Sequence, residues 1–192
     1  GSMPYAQLHY PFKNKEKFES NFPADFIAEG IDQTRAWFYY LQIISAAVMH
    51  KPAYKNVIVN GIVLAETGKK MSKRLKNYPD LMEVFNKYGA DVLRIYLLSS
   101  PVMAAENLNL KESELQELQR GFFRMLWNTY YFFTLYANID RWQPTDNQRE
   151  KSSTNLLDKW IISELNQLTA DVNECMMKYD LVKSARGFQL FV

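Results

Sequence analysis

Apolar positions in the first third of the chain form short runs separated by one longer periodic stretch. Residues 24–30 and 56–60 are short runs rich in apolar and β-branched side chains, the pattern of buried strands. Between them, residues 31–49 have the apolar spacing of a helix, which Pro52 closes. Strand, helix and strand in this order predict a right-handed parallel βαβ unit, half of a doubly wound sheet.

From Pro79 onwards the pattern is helical. Pro79 suits a first helical turn, Gly89 suits a helix stop, and Ser113 opens a capping-box sequence. The polar stretch 140–155 predicts a loop, after which Thr154 or Asn155 caps the next helix. The predicted helices cover residues 80–88, 91–99, 113–138, 155–179 and 180–192. Because the last helix runs to the final residue, we expect this chain to be a segment of a longer protein.

A predicted hairpin, residues 62–71, delivers a densely cationic loop. Residues 68–74 read GKKMSKR, so a glycine opens a run of three lysines and an arginine. Such a loop suits a polyanion that gains charge during a reaction, and a triphosphate losing pyrophosphate is the obvious candidate. The alternative is a solvated lysine loop or a nuclear-import-like patch.

Three sequence blocks carry a family resemblance. The KMSKR segment at 70–74 resembles the KMSKS signature of class I aminoacyl-tRNA synthetases, with arginine for the last serine. Residues 24–38, ADFIAEGIDQTRAWF, resemble the EGxDQTRGWF block of isoleucyl-tRNA synthetases, and residues 88–101 resemble the stretch that follows the loop. The close resemblance covers about Pro4 to Leu110. Ala36 stands where the family usually has glycine, and we expect this small residue to be tolerated on a helix.

Polar residues follow the first predicted strand, where ligands bind in open α/β sheets. Gln33 and Trp37 are four residues apart, so one helical face would carry an amide and an apolar wall. The resemblance implies that Glu29, Gly30 and Asp32 contact an aminoacyl-adenylate. It places Gln33 near the polar head of the amino acid and Trp37 against the isoleucine side chain.

Structural alternatives stay open for these residues. Asp32 and Arg35 could form a helix cap and a surface ion pair, and Trp37 could pack in the core. For the loop, the resemblance implies that Lys70 and Lys73 are catalytic and hold the charge of the leaving pyrophosphate. It also implies that Lys73 binds ATP, and that the backbone around Gly61 and Val63 meets the adenine.

Composition narrows the chemistry further. The chain has 192 residues and a net charge of +2, so any nucleic-acid affinity must come from local patches. One cysteine and two distant histidines argue against a disulfide framework and against a metal site. No apolar run is long enough for a membrane span and no signal peptide opens the chain, so we expect a cytoplasmic protein without membrane contact.

Aromatic residues crowd the predicted helix that includes residues 121–139. They could stack on unpaired bases, but few cations are interleaved with them, so we expect them to form bundle core. The aromatic side chains are Phe122, Phe123, Trp127, Tyr130, Tyr131, Phe132, Phe133 and Tyr136.

These observations predict an α/β plus all-α fold. Residues 1–78 would be the C-terminal half of a Rossmann-like catalytic domain with the lysine loop. Residues 79–110 would be connecting helices, and residues 111–192 the start of a helical bundle, a truncated anticodon-stem-binding domain.

The resemblance implies a fragment of isoleucine–tRNA ligase, whose partners are isoleucine, ATP with Mg²⁺, and tRNA(Ile). A HIGH-type motif and an editing domain are missing from these residues, so we expect the fragment alone to be inactive. Two alternatives stay open: a non-catalytic tRNA-binding module with a decayed catalytic half, or a class I synthetase for valine. The DQTR sequence at 32–35 favours isoleucine.

Overall fold

The structure is a computed structural model that describes residues 1–72, 74–143 and 154–192. It divides into two compact units. The first contains Gly1–Val63 and Pro101–Leu108, and the second contains Leu64–Ser100 and Asn109–Val192. Lys73 lies outside the described residues, as does most of the loop predicted over 140–155.

The first unit is built around a parallel strand pair. β1 and β2 run parallel, in register from Ala24 beside Tyr54 to Gly30 beside Asn60, which confirms the predicted parallel pairing. In chain order the elements of this unit are α1 (Pro4–Gln7), α2 (Lys15–Asn21), β1 (Ala24–Gly30), a 3-10 helix (Ile31–Arg35), α3 (Trp37–Met49), β2 (Tyr54–Asn60) and a second 3-10 helix (Pro101–Ala104).

The helix predicted over residues 31–49 is divided, so that prediction is wrong in its first third. Residues 31–35 form a 3-10 turn, and Ala36 has φ −136° and ψ −107°, outside the helical region. The Ala36 carbonyl then accepts the first helical hydrogen bond of α3, from the Tyr40 amide at 2.9 Å. Ala36 is therefore the residue that precedes α3, not a residue on a continuous helix.

A small core lies on the α3 side of the sheet. Ile27, Phe38, Leu41 and Ala53 are buried together. Of the residues on β1 and β2, only Ile27 is buried, while Phe26 is 50% exposed. The prediction that both strands are buried is therefore wrong for the described residues, because α3 covers only the face that carries Ile27.

The rest of the chain, which includes the second unit, is mostly helical. In chain order the remaining elements are β3 (Val63–Leu64), α4 (Leu81–Tyr88), α5 (Ala90–Leu98), β4 (Leu108–Asn109), α6 (Glu112–Leu118), a π-helical turn (Gln119–Phe123), α7 (Arg124–Ile139), α8 (Leu156–Met177) and α9 (Leu181–Phe191). β3 pairs with β4 in a second two-stranded sheet.

Side-chain caps define several helix ends in this unit. The Asp80 carboxylate accepts from the Met82 amide at 2.7 Å, so α4 begins after Asp80 and Pro79 lies before the first turn. Gly89, with φ +90°, ends α4 as predicted. Of the two residues predicted to cap α8, Asn155 does so, by accepting from the Leu157 amide at 2.9 Å.

The capping box predicted at Ser113 is not formed. α6 begins one residue earlier, at Glu112, and its N-cap Lys111 makes no side-chain cap bond. A single glutamate, Glu112, anchors this turn instead. Glu112 accepts from Lys87 Nζ at 2.7 Å and from the hydroxyl of Tyr88 at 2.9 Å.

α7 and α8 expose their apolar side chains. Neither helix has a buried residue in the described part of the chain, and Trp127 is 63% exposed. The aromatic residues of α7 therefore do not form a core within the described residues, and their place in the core of a larger bundle stays a prediction. α8 packs against α9, where a Cβ added to Gly187 would lie 3.2 Å from Leu168 Cδ1. None of the described helices is long and apolar enough to cross a membrane.

Candidate functional site

The chain that leaves β1 forms a polar corner. Glu29 and Asp32 are exposed, and the Asp32 carboxylate lies over Gly30. A Cβ added to Gly30 would meet Asp32 Oδ1 at 2.7 Å. Gln33 Nε2 donates to Asp32 Oδ2 at 3.0 Å. The Asp32 carboxylate and a glycine without a side chain therefore meet at the carboxyl edge of the strand pair, and the exposed Glu29 is the residue of β1 that precedes them.

Gln33 connects this corner to α3. Its Oε1 accepts from the Trp37 amide at 3.0 Å, so the side chain satisfies one of the N–H groups at the start of the helix. The expectation that Gln33 and Trp37 share one helical face is wrong. Gln33 lies in the 3-10 turn and Trp37 begins α3, and Ala36 between these two elements is not helical. In this structure both ends of the Gln33 amide are bonded within the protein, and one of them orients Asp32.

Trp37 is half-buried at the first position of α3. It packs against the small core of the first unit and lies 5.9 Å, centroid to centroid, from the ring of Phe38. Its Nε1 donates to the Gly1 carbonyl at 3.1 Å. The core alternative for Trp37 is therefore met in part, and part of the side chain stays accessible.

The chain that leaves β2 is held mainly by main-chain atoms, with one side-chain contact from Asn107. The Gly61 amide donates to the Val102 carbonyl at 2.7 Å. A Cβ added to Gly61 would lie 1.8 Å from the Glu106 carbonyl oxygen. The Ile62 amide donates to Asn107 Oδ1 at 3.3 Å. Sequence reasoning missed this closure, since nothing in the sequence pairs residues 101–108 with the end of β2.

The lysine loop starts from a tight turn in the second unit. The Ala65 amide donates to the Lys69 carbonyl at 2.9 Å, and Leu64 and Lys70 form an antiparallel bridge. Gly68 has φ +76°, which a glycine adopts without strain. The predicted hairpin is confirmed in this form. The side chain of Lys70 is exposed, and Lys73 lies outside the described residues.

Comparison with known proteins defines the class. The family described as "tRNA synthetases class I (I, L, M and V)" matches residues 1–109, more than half of the chain. The chain therefore belongs to the class I tRNA synthetases.

A sequence relative indicates which member of this class the chain resembles. The chain is 54% identical, over all of its 192 residues, to the isoleucine–tRNA ligase of Protochlamydia amoebophila (strain UWE25). It spans about 18% of the length of that relative. The predicted resemblance to a segment of the isoleucyl-tRNA synthetases is confirmed.

Solved structures show the same fold at low sequence identity. One neighbour is a LeuRS from Agrobacterium radiobacter K84, in a ternary complex with tRNA and LeuAMS. The match covers 97% of this chain and 25% of the LeuRS chain. The TM-score is 0.75 and the identity 19%. The methionyl-tRNA synthetase of Mycobacterium tuberculosis, in complex with methionyl-adenylate, matches 99% of this chain with 36% of its own. Its TM-score is 0.71 and its identity 20%.

Proposed function

We propose that the protein containing this chain activates isoleucine with ATP and transfers the isoleucyl group to tRNA(Ile). The observation that carries this proposal is the exposed Asp32 carboxylate over Gly30 at the end of β1, in a chain of this family. The exposed Lys70 of the lysine loop supports it separately, within the other unit. The isoleucine–tRNA ligase relative supports the choice of amino acid. The isoleucyl-adenylate would form with release of pyrophosphate, and the acyl group would then pass to the terminal adenosine of the tRNA.

The corner after β1 would bind the adenylate. The carboxylates of Glu29 and Asp32 are acceptors suited to the ammonium group of an amino acid or to ribose hydroxyls. Gly30 lets a ligand approach the backbone. Gln33 would act near the polar head by holding Asp32 in place, and the accessible part of Trp37 would contact the isoleucine side chain.

Lysines and backbone groups would bind ATP, with its Mg²⁺, as a substrate. Lys70 and Lys73 would stabilise the charge that develops on the departing pyrophosphate, and Lys73 would also contact ATP before the reaction. The backbone between Gly61 and Val63 would meet the adenine. Because the Gly61 amide already bonds to Val102, the contact would come from other backbone atoms of this stretch.

The finer fold assignment belongs to the same proposal. We infer that residues 1–78 are the C-terminal half of a Rossmann-like domain, supported by the parallel pairing of β1 with β2. Residues 79–110 would connect it to residues 111–192, the start of a helical anticodon-stem-binding domain. In the longer protein, working in the cytoplasm, the exposed apolar residues of α7 and α8 would be covered by the rest of that bundle.

Lysine substitutions in the longer protein test the proposal. Lys70→Ala and Lys73→Ala should each lower kcat for isoleucine-dependent exchange of pyrophosphate into ATP by about 100-fold or more, with little change in the KM for isoleucine. The reason is that both lysines would stabilise charge that grows as pyrophosphate leaves, and neither is proposed to contact isoleucine. Lys55→Ala, which removes an exposed lysine paired with Asp25, is the control and should leave the exchange unchanged.

Other outcomes would contradict the proposal. A raised KM for isoleucine with intact kcat would remove the lysines from the chemical step, and exchange supported by valine but not by isoleucine would favour a valine enzyme. The 192-residue chain by itself should give no measurable exchange, because several donors to the ATP phosphates lie outside it. Exchange by the isolated chain would show that this expectation is wrong.

A further inference from the structure

One side chain ties the lysine loop to the segment that follows it. Asn77 Nδ2 donates to the Lys70 carbonyl at 3.0 Å, and Asn77 Oδ1 accepts from the Ser72 amide at 2.9 Å. The carboxamide therefore bonds one acceptor and one donor on alternate residues of the loop, as a neighbouring strand would. All three residues belong to the second unit.

The backbone just before Asn77 brings this side chain back to the loop. The Leu75 amide donates to the Ser72 carbonyl at 3.1 Å. Lys76 then has φ +45°, a left-handed conformation that is uncommon for a lysine. Such a conformation persists where surrounding contacts determine it, and the two bonds of Asn77 are such contacts.

Lys70 is thus held from two sides. On one side it forms the bridge to Leu64 that ends the Gly68 turn. On the other side its carbonyl accepts from Asn77. The backbone of Lys70 is fixed although its side chain is exposed. A long, flexible lysine places its ammonium group more accurately when its backbone is fixed, because fewer bonds remain to be ordered at the moment of reaction.

We propose that Asn77 is a positioning residue for the activation step. It fixes the main chain from Lys70 to Ser72 and thereby the origin of the Lys70 ammonium group. This inference rests on the proposed role of the lysine loop. Only a carboxamide of this length meets both requirements: alanine makes neither bond, and aspartate lacks the donor for the Lys70 carbonyl.

The test compares Asn77→Ala and Asn77→Asp with the unchanged longer protein in two reactions. The first is isoleucine-dependent exchange of pyrophosphate into ATP, and the second is single-turnover transfer from preformed isoleucyl-adenylate to tRNA(Ile). Both variants should lower kcat of exchange by about 10- to 100-fold with the KM for isoleucine unchanged. The transfer rate should stay within about twofold, because pyrophosphate has already left.

Asn155→Ala is the matched control. Asn155 also bonds a main-chain amide in the second unit, but at the start of α8, and its loss should cost about 1 kcal/mol of stability. This control should lower the melting temperature while exchange stays normal. If Asn77→Ala lowers exchange and transfer equally, as a general loss of folded protein would, the positioning role is wrong. Normal exchange in Asn77→Asp would also overturn it, because the donor would then be dispensable.

The lysine variant separates this inference from the proposed function. If Lys70→Ala leaves the exchange reaction intact, the role of the loop in activation is itself wrong. If Lys70→Ala impairs exchange and Asn77→Ala does not, the loop is catalytic and only the role of Asn77 is refuted.

Discussion

The chain leaves its two parallel strands in different ways. β1 ends at Gly30 and β2 is followed by Gly61, and at both glycines the space of a Cβ is already occupied. At Gly30 the obstacle is the Asp32 side chain, with Oδ1 at 2.7 Å. At Gly61 it is the main chain of Glu106, with the carbonyl oxygen at 1.8 Å. One edge is held by side chains that can rotate, and the other by backbone that cannot.

This difference indicates that the corner after β1 can adapt to a ligand, whereas the junction after β2 supports the fold. The corner after β1 has an exposed carboxylate, Asp32, whose partner is the side chain of Gln33, so a ligand can replace that partner without moving the backbone. The junction after β2 is held mainly by main-chain contacts, which a ligand cannot replace by displacing a side chain. We therefore expect changes at the Gly30 corner to alter activity first, and changes at the Gly61 junction to alter folding first.

The largest effect should come from Gly61→Ala. A methyl group cannot share the position of the Glu106 carbonyl, so residues 101–108 would have to leave the end of β2, and the bond from Gly61 to Val102 would be lost. We expect a loss of more than about 4 kcal/mol, which small domains rarely survive. Urea unfolding of the longer protein, or its soluble yield if it fails to fold, measures this loss.

Two other glycines are controls for that prediction. Gly30→Ala should cost less than about 1 kcal/mol, because the flexible Asp32 side chain can move aside, although isoleucine-dependent exchange should fall. Gly121→Ala meets nothing within 4 Å in the π-helical turn and should be neutral or stabilising. If Gly61→Ala is as mild as Gly30→Ala, the distinction between the two edges is wrong.

Much of this arrangement could be predicted from the sequence, and the reasons for the misses are physical. The parallel strand pair, the stop at Gly89 and the cap at Asn155 follow from local pattern and cap chemistry. The division of the helix at Ala36 could not be predicted, because the glutamine side chain that caps α3 looks like any other helical residue. The closure of Gly61 by Glu106 depends on residues 45 positions apart, beyond the reach of any local pattern.

Trp37→Ala should show an intermediate effect with two separate components. The half-buried indole contributes to the core around Phe38, so we expect about 2 kcal/mol of lost stability. The accessible part should also set side-chain preference, because an apolar wall discriminates one methylene by about 1–3 kcal/mol, a limit for which isoleucine against valine is itself the standard example. The ratio of kcat/KM for isoleucine over valine should therefore fall by about tenfold.

Measuring both quantities on this variant decides what Trp37 does. A lower melting temperature together with a lower ratio places the indole in both roles. A lower melting temperature with an unchanged ratio of kcat/KM for isoleucine over valine would mean that Trp37 acts only in the core. The corner after β1 would then lack its apolar wall.

A smaller effect should come from Gln33→Ala. The substitution removes the acceptor for the Trp37 amide and the donor to Asp32. By analogy with helix caps, the loss should be about 1 kcal/mol of stability. Exchange should fall as well, since Asp32 loses the contact that orients it. Gln33→Glu keeps the acceptor for α3 but repels Asp32, so it should retain most of the stability and lose the activity. Equal stability losses in the two variants would show that the cap contributes nothing.

The smallest effect should be a pH dependence of the free energy of unfolding, which arises from side-chain contacts in the second unit. The hydrogen bond from the Tyr96 hydroxyl, at 2.7 Å, with a weaker contribution from Lys111, holds the pKa of the Glu114 carboxyl below its usual value. The folded pKa thus lies below the unfolded one, near 4.3. The stabilisation is complete above pH of about 4.3 and is lost as the pH falls through the folded pKa.

Solvent screens this partly exposed group, so the loss should stay below about 1 kcal/mol. Urea unfolding at pH 7 and at steps below pH 5 measures it, with Tyr96→Phe as the comparison. Removing the hydroxyl should reduce the fall in the free energy of unfolding below pH 5, because the main cause of the low Glu114 pKa is gone. Main-chain contacts such as that of Gly61 carry no titrating group, so they should add nothing to this fall. If the fall is unchanged in Tyr96→Phe, other carboxylates cause it and this side-chain contact carries no measurable stability.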